Sequence, residues 1–192
     1  MSEKDLEVFT SLERITSRAE LAEALAGELA KFTIVDLQLI SSFLEREIIA
    51  LPSPYREQIR PYFVEQYFTR YHRVMAMYSQ GGLARIEGEI SDLKLFREFC
   101  AMAAVFRDYD SGSSAPADLA RDRPFSGLFY FLLSGFYMFV LDEPGHPVGM
   151  PFPGGFAVKK QDGRYLCPIR DKEKDVECSI CNFCPAKQEE GV

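Results

Sequence analysis

The stretch Leu128 to Leu141 (LFYFLLSGFYMFVL) is almost uninterruptedly apolar for 14 residues. A helix that crosses a bilayer needs about 20 such residues. Extending it back to Phe125 gives 17, with Ser126, Gly127, Ser134 and Gly135 inside and no basic anchor after Leu141. A helix that is apolar all round yet too short to span belongs in a protein interior. The segment is therefore expected as the buried central helix of a globular domain. The rest of the chain can supply that interior, since 192 residues with 47% apolar side chains suffice for one sizeable core. With 16 Phe and 9 Tyr but no Trp, the core must be built largely by ring packing.

From Ser2 to about Leu141 the pattern is helical. Ser17 with Glu20 predicts a capping box before a helix over Arg18 to Lys31, in which Leu21, Leu25, Leu29 and Phe32 line one face. Thr33 caps a second run with Ile34, Leu37, Ile40, Leu44 and Ile48 in register, stopped at Pro52. Ser53 reads as an N-cap with Pro54 at the first helical position, and that helix runs to Tyr78 with a bend or restart at Pro61. Gly81 and Gly82 end it. Ser91 opens another, with Leu93, Phe96, Phe99, Cys100, Ala103 and Phe106 on one face. Ser111 to Pro116 is a flexible linker candidate.

The texture changes at Glu143. Pro144 to Gly155 (PGHPVGMPFPGG) holds four Pro and four Gly, a composition that resists helix and central strand and favours a stiff, extended strap. Beyond it, Phe156 to Lys160 and Arg164 to Ile169 flank Asp162 and Gly163, a strong hairpin signal. The expected organisation is a mainly α, multi-helix domain over 1–142, a Pro/Gly-rich connecting strap over 143–155, and a small Cys-rich hairpin module over 156–192 packed on the helices.

Four of the five cysteines fall in that module. Cys167, Cys178, Cys181 and Cys184 fit C-x10-C-x2-C-x2-C, with Pro168 and Pro185 after the first and last. Two residues between cysteines let a tight turn bring both sulfurs toward one ion, and a hairpin can carry the remote thiol opposite them. A tail of about 37 residues buries too little surface to order itself, so a metal crosslink would supply what packing cannot. C-x2-C-x2-C is like the loop that holds a [4Fe-4S] cluster, with Cys167-Pro168 as the remote ligand; zinc in a ribbon-like site is the alternative. Four thiolates with Zn²⁺ or a +2 cluster core leave −2. Arg170, Lys172, Lys174 and Lys187 are available to offset it, although their interleaving with Asp171, Glu173, Asp175 and Glu177 reads as a solvated surface. A C-x-x-C redox disulfide lacks its strand-to-helix context, and Cys100, next to Phe99 on an apolar face, reads as core.

Other chemistry is sparse. His72 has no metal-spaced partner, and His146 before Pro147 is at most a substitute or outer ligand of the cysteine module. The chain contains no H-E-x-x-H, G-x-S-x-G or G-x4-G-K-[ST], so no catalytic motif is recognisable. Arg56, Arg60, Arg70 and Arg73 alternate with Tyr55, Tyr62, Phe63, Tyr67, Phe68 and Tyr71, a mixture able to bind an anionic small molecule. The spacing of Ile59, Phe63, Tyr67, Tyr71, Val74 and Tyr78 instead assigns the rings to the core and the arginines to the wet face. A net charge of −7 argues against nucleic acid or anionic membrane as partners. Met1 to Phe9 lacks the basic start and apolar run of a secretory signal, so a cytoplasmic location is expected.

At HPVGMPFPGG (His146 to Gly155), YLCP (Tyr165 to Pro168), CNFCPAKQEE (Cys181 to Glu190) and SSFLEREIIALPSPYRE (Ser41 to Glu57), the chain resembles an uncharacterised protein family of methanogenic archaea, classified as a domain of unknown function. The resemblance spans most of the chain. It implies a Cys-Pro on the hairpin and a C-x2-C pair before a Lys/Gln/acidic tail, matching Cys167, Pro168, Cys181 and Cys184. Cys178 is outside that pattern, which also admits three thiolates plus another group. Two functions of different class follow: a non-catalytic protein whose metal pins the tail while it binds a protein partner, and a redox protein whose cluster carries electrons.

Overall fold

The computed structural model describes residues 3–106 and 124–191; the expected linker from Ser111 to Pro116 lies outside them, as does the side chain of Phe106. Seven α-helical segments precede a small region of short strands. Helix α1 (Glu3–Leu12) buries Phe9 and Leu12 against α6 (Leu93–Phe106). Helix α2 (Arg18–Leu29) is capped by Ser17, whose Oγ accepts the Glu20 N–H at 3.5 Å. It buries Leu21, Ala22, Leu25, Ala26 and Leu29 completely or nearly so, each Leu contributing about 1.5–3 kcal/mol. The reciprocal capping box forms in α3 (Ile34–Ala50) instead, where Thr33 Oγ1 takes the Asp36 N–H and Asp36 Oδ2 takes the Thr33 N–H at 2.8 Å. Its buried face is Ile40, Leu44 and Ile48; Ile34, in the first turn, is 70% exposed.

Two entry points differ from expectation. The helix after Pro52 starts at Tyr55 (α4, Tyr55–Val64), with Pro54 rather than Ser53 at the N-cap, because Pro54 itself has non-helical backbone, while the Ser53 side chain bonds the Glu57 side chain. Helix α6 is capped by Asp92, whose Oδ1 accepts the Leu95 N–H at 2.9 Å, while Ser91 Oγ is engaged with Asp142.

Pro61 sits inside α4, and a π-helical turn, Glu65–Thr69, follows before α5 (Arg70–Ser79). A second π turn, Phe136–Val140, extends α7 (Pro124–Gly135). The α7 segment is the expected buried centre: Phe129 and every residue from Phe131 to Val140 are buried. Where it ends, Arg18 donates from Nε to the Val140 carbonyl at 2.9 Å and pairs with Asp142 at 3.2 Å, satisfying a carbonyl to which no further helical N–H donates. Rings knit the interior as expected. Phe99 packs edge-on against Phe9, Phe131 and Phe183, and Gly135 is small where Phe99 approaches: a Cβ there would lie 3.1 Å from its ring. Among the described residues no helix is long and apolar enough to cross a membrane.

The strap is not wholly irregular. Its Pro151–Phe152 (β1) pairs antiparallel with Phe156–Ala157 (β2), so Phe156 belongs to a separate ribbon from the hairpin. The hairpin pairs Lys159–Gln161 (β3) with Arg164–Cys167 (β4) through Asp162 and Gly163, both at positive φ as an Asp-Gly turn requires. Lys187–Gln188 (β5) then adds parallel to β4, returning the end of the tail to the strand that carries Cys167.

Candidate functional site

Three of the four clustered cysteines are buried and act on one another electrostatically. Cys167 ends β4, Cys181 lies in the 3-10 turn Ile180–Phe183, and Cys184 follows that turn; all are buried. They are free thiols. Charge on Cys184 or on Cys167 would raise the pKa of Cys181, and charge on Cys184 that of Cys167, so the three share one electrostatic neighbourhood. Cys178 is half-buried before the turn and is not among the groups that act most on the others. No group of three or more His, Cys, Asp or Glu side chains among the described residues is arranged to hold a metal ion. The three thiols influence one another electrostatically without being set out as a ligand shell.

The backbone is turned toward these sulfurs. The N–H groups of Ile169 and Arg170 face Cys167, and those of Ala186 and Gly145 face Cys184. Burial pushes all three thiols up, Cys181 to about 12, and the N–H contacts at Cys167 and Cys184 act against that rise. Two guanidiniums stand nearby: Arg170 lowers Cys167 and Cys184, and Arg70 lowers Cys184. The Nε of Arg170 is buried without a hydrogen-bond partner. Of the lysines beside it, Lys174 pairs with Asp171 at 3.1 Å and Lys187 is exposed, which fits the solvated reading for those two. Cys100 is 1% exposed, its thiol pushed to about 12 by burial, as a core residue would be.

Sequence reasoning missed Arg70. Expected on the wet face, it is 6% exposed and clamps the strap, donating from Nη1 to the Gly145 carbonyl and from Nη2 to the Pro144 carbonyl at 3.1 Å. Its guanidinium lies 4.1 Å over the Tyr137 ring. The π turn at Glu65–Thr69 widens the helix just before Arg70 and rotates the following residues, so Gln66 and Arg70 join Ile59, Tyr71 and Val74 inside. Arg60 remains outside, paired with Glu45 at 2.7 Å, and Arg73 is exposed beside Glu143.

One peptide unit connects Arg70 to the cysteines. The Pro144–Gly145 amide presents its carbonyl to Arg70 and its N–H to Cys184. A cation on the carbonyl polarises the amide and strengthens its N–H as a donor to sulfur. A Cβ at Gly145 would sit 2.4 Å from Ile180 Cδ1 in the cysteine turn, so any side chain there displaces the end of Ile180.

His72 is exposed, in edge contact with Tyr71, and His146 packs edge-on against Phe152 at 5.9 Å. Burial, with help from Arg70, pushes the His146 imidazole down to about 4. The unfolded chain takes up this proton near 6.5 and the folded chain only near 4, so stability falls as pH drops through 6.5 and levels off below 4. Between pH 7 and 4.5 this amounts to about 2 kcal/mol. His146→Asn is expected to remove that part of the slope in denaturant unfolding followed across the two pH values; an unchanged slope would contradict it.

Comparison with known proteins agrees across most of the length. The family described as "Uncharacterized protein conserved in archaea (DUF2115)" matches residues 17–189. A UPF0305 protein of Methanocaldococcus jannaschii is 27% identical over 168 residues, 88% of this chain and 94% of that protein. One from Methanothermobacter thermautotrophicus is 27% identical over 175 residues, 90% and 97% of the two chains. A shorter match to a UPF0305 protein of the same organism is 50% identical over 50 residues, 26% of this chain and 32% of that protein. No solved structure matches.

Proposed function

The chain belongs to the archaeal family DUF2115, and we propose that its C-terminal module is a metal centre held by Cys167, Cys181 and Cys184, which orders the tail of a protein that acts by binding a partner. What supports this reading is three buried free thiols, one ending β4 and two at the turn just before β5, which pairs with β4, with four backbone N–H groups acting to lower two of them. A neutral thiol is a weak acceptor and would recruit few donors, whereas a metal-bound thiolate accepts them well. The partnerless Nε of Arg170 and the positive charge of Arg70 suit the same negative centre. The donor set is soft and sulfur-only, which fits a [4Fe-4S] cluster or zinc. Cys178, C-x2-C from Cys181 and half-buried, is the candidate fourth ligand.

Protein prepared without oxygen is expected to carry stoichiometric metal. Absorbance near about 400 nm with bound iron and sulfide assigns a cluster and favours the electron-carrying alternative; colourless stoichiometric zinc assigns the structural role. Cys181→Ser is expected to release the segment from Cys167 onward to limited proteolysis while the helices stay folded, with cleavage there at least about tenfold faster. Metal-free protein together with unaltered protection in Cys181→Ser would overturn the proposal.

A further inference from the structure

The two π-helical turns open onto one cavity of about 330 Å³, Glu65 and Thr69 coming from the first and Tyr137 from the second. Such turns interrupt regular helices at a cost and recur at functional sites. The strap and the hairpin close the cavity, the latter with Lys160 and Tyr165. Its volume suits a small molecule.

The charges around it are unbalanced. Arg70, Arg73 and Lys160 face two carboxylates, Glu65 and Glu143, in a chain whose overall charge is −7. Arg73 is matched by Glu143 at 3.4 Å. Arg70 and Lys160 are not: among the described residues neither has a carboxylate within 4 Å. Glu143 and Glu65 act on Arg70 through space, and Lys160 Nζ lies 3.2 Å from the Tyr165 hydroxyl and 4.8 Å from its ring centroid. A buried guanidinium held by carbonyls and a ring keeps its charge uncompensated, and a cation in that state gains more from an incoming anion than a solvated one. Tyr165 adds aromatic surface to the lining, while Tyr137 lies beneath Arg70.

We propose that this cavity binds a small organic anion, its carboxylate or phosphate head taken by Arg70 and Lys160 and its flat, unsaturated body lying against Tyr165. The site is independent of the metal reading and stands whether or not the cysteines hold an ion. It includes Arg70 and Arg73 of the Arg/Tyr helix and leaves out Arg60.

The test is titration of the full chain with benzoate, phenyl phosphate and the neutral benzamide, followed by amide chemical shifts and calorimetry. One or both anions are expected to bind saturably, with shifts centred on Thr69, Val148 and Tyr165, and the preferred anion identifies the head group. Benzamide is expected to bind at least about fivefold more weakly. Lys160→Gln changes an exposed side chain, so it is expected to keep the unfolding midpoint while weakening anion binding about fivefold or more, as loss of a charge-assisted contact implies. Absence of saturable binding by both anions, equal binding of benzamide, or undiminished affinity in Lys160→Gln would overturn the proposal.

Discussion

Phe99→Ala is expected to destabilise the folded chain by about 3–5 kcal/mol, the range for truncating a buried Phe. The ring is 1% exposed and meets Phe9 from α1, Phe131 and Phe139 from the central helix, and Phe183 from the cysteine turn. Three elements converge on one side chain, so the space it leaves cannot be refilled by movement of any single neighbour. Gly135, whose missing side chain admits the ring, adds to the void. For a protein of this size the loss corresponds to a fall of roughly 10–15 °C in Tm. The effect should also reach the tail: without the edge contact at 5.6 Å, amides of Ile180–Phe183 are expected to lose hydrogen-exchange protection beyond that lost by α3, which Phe99 does not meet in a ring contact. Equal loss of protection in the two segments would mean that Phe99 supports global stability only and does not dock the cysteine turn.

That coupling explains which features could be read before the coordinates. The faces of α2 and α6, and the central helix, were legible because apolar residues at helical spacing have no other way to leave water. The hairpin was legible because Asp162 and Gly163 provide the two positive-φ positions of its turn. The strap's β1 was not, since Pro151 argues against a strand and its pairing with Phe156 and Ala157 is a property of two segments together. Nor was β5, whose parallel partner β4 lies about twenty residues away. Arg70 was misassigned because a spacing rule of 3.6 residues continues through Glu65–Thr69, where the backbone does not follow it. At the cysteines, spacing treats Cys178 and Cys181 alike; what separates them is burial, and that depends on Gly145 and Phe99 from distant parts of the chain.

Arg70→Met keeps much of the aliphatic stem and removes every donor, and it is expected to cost about 2–5 kcal/mol. The Pro144 and Gly145 carbonyls would both lose the donor that now satisfies them, at about 1–3 kcal/mol for each buried acceptor left unpaired. Arg70→Lys should recover only part of this, because one ammonium on a flexible stem cannot reproduce a planar fork that spans two carbonyls and lies over Tyr137. The distinctive consequence is local. The Pro144–Gly145 amide that Arg70 holds also points its N–H at Cys184, so freeing the strap disturbs the sulfur site from a residue more than a hundred positions away in sequence. Denaturant unfolding measures the overall cost, and the reaction rate of Cys184 with a thiol reagent in metal-free protein measures the local one. Arg70→Met is expected to raise that rate more than Phe99→Ala does at matched stability. If the two variants expose Cys184 equally, the link through the strap amide carries no specific effect, and Arg70 stabilises the fold without acting on the sulfurs.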